Sequence, residues 1–505
     1  MHRIWMVDLA REQAPTLDHL YQYAATAQNA GYTALGLYLE HRFAYADTPW
    51  SQGKGVVTPA QIQSLQSEFP SLQIIPFINL LGHFEGFFNC EEGRIFREET
   101  FTGLQACPSC PEFVTLCQNI ITETIATFKS EIIHIGGDET AQLGKCPRCA
   151  ERMAGQAIDP NKPDEKAWLY QDHFTPLINQ VIAAGRRPAM WGDMFLQHPT
   201  ALENLPKQTL IFDWHYVNGV KESAPKFNGF EVIACPTTAV YNAAWMHLNR
   251  TEHNVRECAK DAHELNLAGF CLTTWEQVML NPYDSIFPAV EWAARIAINP
   301  TSPESLPEAF GEAEQWARNL GIELEEMGGV WAASGHRHKL KTRLLLMGNP
   351  FLAWLHHRDE IQGERAKQLL LLIEKSIHYA PNEACKNVSF GLRAMIEALI
   401  MMNEAHVHYA KGEADAAIGK LAPMRYLFET LARLAKENNE RIGGSLADIQ
   451  RCNIAKAHIE TVITRIRKYG NRELGYLPAF EVLTNPRFTP HDQSCWWLVN
   501  KWANE

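Results

Sequence analysis

The sequence predicts a (β/α)8 barrel, an α/β fold of the TIM-barrel type, followed by an all-α helical C-terminal domain. From residue 3 to about 300, eight short β-rich runs alternate with amphipathic stretches, a pattern typical of parallel sheets covered by helices. From about 305 onward, apolar residues recur at helical spacing. No G-x-G-x-x-G motif follows the first run, which favours a closed barrel over an open dinucleotide-binding sheet. We therefore predict a barrel over residues 1–303 and a helical domain over residues 304–505.

The predicted strands end in, or lead directly into, polar or aromatic residues. In chain order they are RIWMVD, ALGLYL, LQIIPFIN, IIHIGG, RPAMWGD, TLIFDWH, FEVIAC and LAGFCLTTW. Segments between them, such as TLDHLYQYAATAQNAG, carry the apolar spacing of amphipathic helices. In the C-terminal part, longer segments such as GLRAMIEALIMMNEAHVHYAKG are separated by short breaks, which predicts a helical bundle.

Length and charge exclude several classes of protein. The 505 residues suffice for a barrel of roughly 250 residues and a second domain. The net charge is −12 and no Lys/Arg block occurs, which argues against a nucleic-acid partner. No apolar run reaches the roughly 20 residues of a membrane span, so we expect no membrane partner. The N-terminus has no long apolar signal region. We expect a cytoplasmic protein, or an exported one whose signal is absent from this sequence.

The ends of the predicted strands concentrate chemically active side chains. In a barrel of this kind such side chains meet at one rim. The candidates are Arg11, Glu40, His83, Asp138, Glu139, Trp191, Trp214, Tyr241, Asn242, Trp275 and Glu276. Tryptophan faces stack on sugar rings, and carboxyl groups hold hydroxyls or protonate a glycosidic oxygen. Burial in the core is the alternative for each tryptophan, but several at neighbouring strand ends favour a carbohydrate site.

The stretch EIIHIGGDET, residues 131–140, is the most specific signal. Its isoleucines run past Gly136 and Gly137 into the adjacent carboxylates Asp138 and Glu139. Glycine has no Cβ, so a sugar can approach the backbone closely at this point. Adjacent carboxylates at a strand end are either solvated or functional, and this setting favours function.

The motif HIGGDE with its following threonine resembles the signature of family 20 glycoside hydrolases, the β-N-acetylhexosaminidases. The segment PFINLLGHFEGF resembles the third-strand region of the same family, and the resemblance covers about residues 3–300. It implies that Glu139 is the general acid/base and that the substrate's own 2-acetamido oxygen is the nucleophile, through an oxazolinium intermediate with retention. It further implies that Asp138 hydrogen-bonds the acetamide N–H and stabilises the charge that develops there.

The function implied by this resemblance is an exo-acting β-N-acetylhexosaminidase. Such an enzyme releases terminal β-linked GlcNAc or GalNAc from glycans and needs no metal for catalysis. A sugar-binding barrel without activity is the alternative. A homodimer through the helical domain remains open.

The resemblance assigns further roles around the pair. Tyr241 takes the place of a tyrosine that holds the acetamide oxygen. Relatives often carry an aspartate where Ala243 stands, so Asn242 is the expected hydroxyl ligand. Glu40 and His83 are expected to lie behind Glu139, although a structural role for His83 is an alternative.

The remaining rim residues are expected to bind the sugar. Arg11 resembles an arginine that binds ring hydroxyls in this family. The alternative is that Arg11 is a surface residue with no role in binding. Trp275 and Glu276 resemble an eighth-strand Trp and Glu, which many relatives separate by one residue. Trp191 and Trp214 are expected to line the sugar site.

Two C-x-x-C pairs form a second motif. The segments CPSC and CPRC place Cys107 and Cys110 before the predicted fourth strand, and Cys146 and Cys149 after it. Four thiolates match a tetrahedral structural zinc site. We predict that such a zinc fixes the loop after the carboxylate pair, with free thiols and disulfides as alternatives. A catalytic zinc is disfavoured, because four cysteine ligands leave no open position for water.

Overall fold

A computed structural model gives the architecture of the chain. It describes residues 1–10, 15–53, 55–100, 103–156, 164–240, 245–275, 283–324, 350–351, 363–443 and 446–469.

Eight parallel strands form a closed barrel. They are β1 (His2–Asp8), β2 (Ala34–Tyr38), β3 (Gln73–Phe77), β4 (Ile132–His134), β5 (Arg187–Trp191), β6 (Leu210–Trp214), β7 (Glu231–Cys235) and β8 (Gly269–Thr274). Each strand pairs with the next, and β8 pairs with β1 to close the sheet. Every predicted strand is present, and the prediction of a (β/α)8 barrel is confirmed.

Helices connect and cover the strands. They are α1 (Leu17–Ala30), α2 (Pro59–Glu68), α3 (Glu85–Phe88), α4 (Glu91–Arg94), α5 (Pro111–Thr127), α6 (Pro147–Ala154), α7 (Glu165–Ala183), α8 (Asp193–Gln197), α9 (Leu248–Glu264) and α10 (Phe287–Ile298). Local signals set their ends. The Thr58 hydroxyl accepts the Gln61 N–H while the Gln61 side chain accepts the Thr58 N–H, a capping box that starts α2. Gly31 ends α1 with a φ of 91°, a conformation that glycine adopts without strain.

Aromatic rings pack around His134 in the barrel interior. His134 lies 4.4 Å from Phe77 and 4.4 Å from Trp191 between ring centroids, and 4.8 Å from Phe212. All four side chains are fully buried. Burial lowers the pKa of His134 well below its ordinary value, so the imidazole is neutral. Its Nδ1 accepts the N–H of Gly136 at 3.2 Å, which ties the core to the start of the carboxylate loop.

The chain divides into two compact units. The first comprises the described parts of residues 1–238, 252–275 and 290–303, and the second comprises those of 239–251, 276–289 and 304–505. The sequence-based boundary at residue 303 stays a prediction.

The described helices after residue 303 are α11 (Glu314–Arg318), α12 (Gly363–Tyr379), α13 (Glu383–Ala410), α14 (Ala414–Leu421), α15 (Met424–Ile442) and α16 (Leu446–Tyr469). The predicted helical C-terminal region is therefore present. Within it, the indole of Trp316 donates a hydrogen bond to the buried Ser389 hydroxyl at 3.1 Å. Among the described residues, no helix has the length and apolar character needed to cross a membrane.

Candidate active site

The backbone after β4 turns so that two consecutive carboxylates reach the rim. Consecutive residues of a regular strand point to opposite faces, but this segment is not regular. Gly136, Gly137 and Glu139 have φ values of 78°, 96° and 47°. Left-handed backbone is costly for glutamate, so the surrounding contacts must hold Glu139 in place.

Glycine is required at two positions near this turn, because neighbouring atoms leave no room for a Cβ. A Cβ on Gly137 would lie 2.4 Å from the Tyr170 hydroxyl, which donates to the Gly137 carbonyl at 2.7 Å. A Cβ on Gly82, in the segment after β3, would lie 1.9 Å from the carbonyl oxygen of Asp138. The two segments therefore contact each other through their backbones, and the position of Asp138 depends on the absence of a side chain at Gly82.

Asp138 is held by an amide from the neighbouring strand end. Its side chain is almost buried, and its Oδ1 accepts a hydrogen bond from Asn79 Nδ2 at 2.7 Å. The same Nδ2 lies 3.4 Å from the hydroxyl of Tyr38. A hydrogen bond to a carboxylate stabilises its charged form, so this contact favours an ionised Asp138 that can accept a further hydrogen bond.

Glu139 is more exposed and contacts a buried histidine. About a third of its side chain, 36%, is accessible, and its Oε2 lies 3.1 Å from His83 Nε2. His83 Nδ1 lies 3.1 Å from Glu85 Oε1, and His83 Nε2 lies 3.5 Å from Asp138 Oδ2. Burial opposes a charge on His83, but the carboxylates of Glu85 and Asp138, with the hydrogen bond to Glu139, raise the pKa of His83 well above its ordinary value.

A third carboxylate supports the main chain of this pair. Asp193 Oδ2 accepts the backbone N–H of Glu139 at 2.9 Å, and the Trp214 indole donates to Oδ1 at 3.4 Å. Burial, and then the negative charge of Asp138, raise the pKa of Asp193 to about 7. The hydrogen bond from the Glu139 N–H helps to hold the left-handed backbone of that residue.

Two tryptophans lie partly exposed on top of the barrel core. Trp214 and Trp275 are partly buried and pack against the core cluster. The Trp275 indole donates to the Tyr216 hydroxyl at 2.6 Å, and the ring of Tyr216 lies 4.9 Å from that of Trp214. These contacts link the ends of β6 and β8 and leave aromatic surface beside the carboxylates.

Trp191 lies lower in the barrel. It has no exposed surface, and its ring centroid lies 5.9 Å from that of Trp275. Its indole N–H has no hydrogen-bond partner among the described residues. Trp191 points into the barrel interior because its place on β5 continues the inward-facing register of Ala189. The structure places it beneath the rim, and its predicted contact with a sugar stays a prediction.

Glu40 lies close to the histidine that contacts Glu139. It is buried, has a φ of 40°, and begins a short 3-10 turn after β2. One carboxylate oxygen of Glu40, one of Glu85 and one ring nitrogen of His83 lie within 4.8 Å of one another. The structure therefore brings Glu40 and His83 together behind Glu139.

The sequence profile described as "Glycosyl hydrolase family 20, catalytic domain" matches residues 40–280, which carry this constellation. This segment belongs to glycosyl hydrolase family 20. A curated relative of the family 20 domain, a beta-hexosaminidase of Akkermansia muciniphila, is 26% identical over 161 residues, which are 29% of this chain and 32% of the relative. The chain thus spans about a third of that relative's length.

Solved structures similar to the chain include proteins from two further bacteria. The β-N-acetylhexosaminidase from Bacteroides fragilis is 17% identical with a TM-score of 0.46, and the match covers 64% of this chain and 70% of that one. The GH20 exo β-N-acetylglucosaminidase from Vibrio harveyi in complex with N-acetylglucosamine is 18% identical with a TM-score of 0.47, covering 59% and 54%.

Four of the predicted site residues lie outside the described residues. They are Arg11, Tyr241, Asn242 and Glu276. Their roles, like those of the described site residues, stay predictions. Sequence reasoning assigned no role to Asn79 or Asp193, although both stand at or directly beyond a predicted strand end. A polar residue that closes an apolar run was the signal available for each.

The structure gathers three of the four motif cysteines of the family 20 domain. Cys107 Sγ lies 3.4 Å from Cys146 Sγ and 3.6 Å from Cys149 Sγ. Cys110 does not join this group: its Sγ donates to Glu112 Oε2 at 3.2 Å in the first turn of α5. None of the described cysteines forms a disulfide.

Proposed function

We propose that the chain is an exo-acting β-N-acetylhexosaminidase that releases terminal β-linked GlcNAc or GalNAc by substrate-assisted, retaining hydrolysis. One observation carries the proposal: the adjacent carboxylates differ in exposure and in the hydrogen bonds described above. Asp138 is buried and fixed by Asn79, whereas Glu139 is accessible and contacts His83. A carboxylate that positions and a carboxyl group that exchanges protons need these two environments.

In the first step, the carboxyl group of Glu139 donates its proton to the glycosidic oxygen. The acetamido carbonyl oxygen of the same sugar attacks C1, and the bond from C1 to the leaving oxygen breaks. Asp138 accepts the acetamide N–H and stabilises the positive charge that develops on the forming oxazolinium ring. A protonated His83 stabilises the carboxylate that Glu139 becomes.

In the second step, water attacks C1 from the face that the leaving group vacated. The Glu139 carboxylate takes a proton from this water, the bond between C1 and the acetamido oxygen breaks, and the acetamide is restored. Two inversions at C1 give net retention. No protein nucleophile is used, so the two carboxyl groups can be neighbours in sequence and do not have to flank the sugar.

Aromatic residues at the rim support a sugar substrate. Trp214 and Trp275 offer aromatic surface on which a sugar ring can stack. Tyr241 is proposed to hold the acetamide oxygen, and Arg11, Asn242 and Glu276 to bind ring hydroxyls. The proposed substrates are glycans or oligosaccharides that end in GlcNAc or GalNAc.

The deciding experiment compares an aryl β-N-acetylglucosaminide with the matching aryl β-glucoside. Only the acetamido sugar carries the internal nucleophile, so only it should be hydrolysed at a measurable rate. A thiazoline analogue of the bicyclic intermediate should bind more tightly than the substrate, because it resembles a species close to the transition state.

The outcomes separate the proposal from its competitors. Comparable hydrolysis of both glycosides would require a protein nucleophile and would overturn the substrate-assisted mechanism. No hydrolysis of either, together with binding of N-acetylglucosamine, would favour a sugar-binding barrel without activity.

A further inference from the structure

A second cluster of reactive side chains lies next to the loop that carries Glu139. Cys107, Cys146, Cys149 and Glu98 each offer one ligand atom, and these atoms all lie within 4.8 Å of one another. Cys107, Cys149 and Glu98 are almost completely buried. Burying a carboxylate among thiols is costly unless a cation or hydrogen bonds compensate it.

The spacing of the sulfur atoms fits a shared metal ion. Two thiolates bound to a tetrahedral zinc at about 2.3 Å lie about 3.8 Å apart. Cys107 Sγ is 3.4 Å from Cys146 Sγ and 3.6 Å from Cys149 Sγ, close to this separation. A disulfide requires about 2.05 Å. Thiolates with one carboxylate or imidazole are ligands that zinc favours.

The surrounding donors suit negatively charged ligands. The backbone N–H of Cys149 donates to Cys146 Sγ at 3.3 Å, and the N–H of Cys146 donates to Glu98 Oε1 at 2.8 Å. Cys146 is the N-cap residue of α6. The guanidinium of Arg152 donates to the Ser109 hydroxyl at 3.0 Å, and that hydroxyl lies 3.0 Å from Cys149 Sγ.

We propose that Cys107, Cys146, Cys149 and Glu98 bind one zinc ion. This ligand set differs from the four-cysteine set that the motif spacing suggests, because Glu98 replaces Cys110. The thiol of Cys110 is engaged by Glu112 on its own helix turn. Four protein ligands leave no open position, so the metal is structural and takes no part in catalysis.

The zinc joins two segments that flank the carboxylate pair. Glu98 and Cys107 belong to the segment after α4, while Cys146 ends the loop that carries Glu139 and Cys149 lies in the first turn of α6. Between the ligands, Gln105 and Gln142 exchange two hydrogen bonds: the N–H of Gln105 donates to Gln142 Oε1 at 3.2 Å, and the N–H of Gln142 donates to Gln105 Oε1 at 3.0 Å.

The first segment is also tied to the neighbourhood of His83. The N–H of Ala106 donates to the Leu81 carbonyl at 2.9 Å, two residues before His83. The metal therefore clamps the loop of Glu139 to the segment that precedes its histidine partner. Zinc removal should loosen both segments.

The first test measures the zinc content of the full chain. The protein is reduced, stripped of metal, titrated with Zn²⁺ alone, and compared with E98Q, C149S and C110S. One zinc per wild-type chain is expected, with loss of binding in C149S, affinity weakened at least about 10-fold in E98Q, and full binding in C110S. The C110S variant is the matched control, since it removes a thiol of the same motif.

Three results would overturn the proposal. They are no zinc uptake by the reduced wild-type chain, loss of zinc in C110S with retention in E98Q, and a disulfide between these cysteines in the protein isolated without oxidant. If C149S fails to fold, cobalt replaces zinc in the wild-type chain. Its charge-transfer absorption grows with the number of thiolate ligands, so three thiolates are distinguishable from four.

The clamp itself is tested by hydrogen exchange. Peptides over residues 96–108 and 138–150 should exchange faster in the metal-free chain, while a peptide over α1 should not change. Equal exchange with and without zinc would overturn the clamp. Neither measurement depends on the proposed glycosidase activity.

Discussion

Asn79 Nδ2 donates a 2.7 Å hydrogen bond to Asp138 Oδ1, and this bond connects the end of β3 to the end of β4. It fixes the orientation of the buried carboxylate without adding charge. If Asp138 positions the acetamide, the amide of Asn79 is a positioning group for the reaction.

Replacing Asn79 by alanine tests this role. N79A should lower kcat/KM for an aryl N-acetylglucosaminide by about 10–100-fold, because a hydrogen bond to a charged group is lost. Asn119, exposed on α5, donates to the Asp47 carboxylate at 2.5 Å and provides the matched control N119A. Equal activity of the two variants would contradict the positioning role.

The acid role of Glu139 is tested with leaving groups. E139Q cannot donate a proton, so it should lose roughly 10²–10⁴-fold in kcat/KM with a poor leaving group. The loss should shrink as the leaving group becomes more acidic and needs less protonation. A loss that does not depend on the leaving group would remove Glu139 from this role.

Glu85 tests the charge on His83. In E85Q one of the carboxylates that raise the pKa of His83 is gone, so His83 loses its proton at lower pH. The positive charge on His83, which is proposed to stabilise the Glu139 carboxylate, is then lost at a lower pH than in the wild type. The ratio of wild-type to E85Q kcat/KM should therefore grow roughly 3–10-fold between about pH 6 and 8.

The control for E85Q is E92Q, which alters an exposed glutamate on α4. Its ratio to wild type should not change with pH. A constant ratio in E85Q as well would show that Glu85 does not govern the proton on His83.

Asp193 makes stability depend on pH. Its folded-state pKa of about 7 lies above the ordinary value of 3.8, so its ionisation opposes folding. The stabilising contribution of the protonated form is complete below about pH 4 and is lost as pH rises through 7. D193N removes this dependence. Relative to wild type, D193N should gain roughly 1–2 kcal/mol of unfolding free energy between pH 5 and 8.

Thermal denaturation at each pH measures this difference. Asp18, exposed in the first turn of α1, provides the control D18N, which removes a carboxylate far from the Asp138–Asp193 pair in sequence. A constant difference for D193N would mean that Asp193 is already ionised at pH 5.

Gly82 tests the backbone contact beneath Asp138. The Cβ of G82A would lie 1.9 Å from the Asp138 carbonyl oxygen, so one of the two main chains must move. We expect a loss of roughly 1–3 kcal/mol of unfolding free energy and at least about 10-fold in kcat/KM. G53A is the control, because a Cβ on the exposed Gly53 meets nothing within 4 Å. Wild-type activity in G82A would contradict the model of a rigid contact.

The fold could be predicted because buried parallel strands leave a direct trace in sequence. Each is a short apolar run that ends in, or leads directly into, polar or aromatic residues, and all eight runs became strands. The carboxylate pair could be predicted because the glycines and the two acids are contiguous. Asn79 and Asp193 received no role, because the predicted strand order places them beside the pair but does not determine the loop conformations and rotamers that form their hydrogen bonds.

The proposed zinc ligands could be predicted from the sequence only in part. The C-x-x-C spacing predicted which thiols could approach one another, and three of them do. Glu98 carries no motif, since a single glutamate in a connecting segment is indistinguishable from a surface residue. The tryptophans differ for a related reason: Trp191 and Trp214 both close a strand, yet only the strand register decides which one the core buries.

The closure of the barrel has a consequence for synthesis of the chain. The Trp5 indole donates to the Thr274 hydroxyl across the β1–β8 seam, and these residues are 269 positions apart. At about 5–20 residues per second, a ribosome needs roughly 15–50 s to synthesise the chain from Trp5 to Thr274. During that interval the edge of β1 that later pairs with β8 has no partner strand. An unpaired strand edge is a template for aggregation. Nascent chains of this protein should therefore depend on chaperone protection until β8 has left the ribosome.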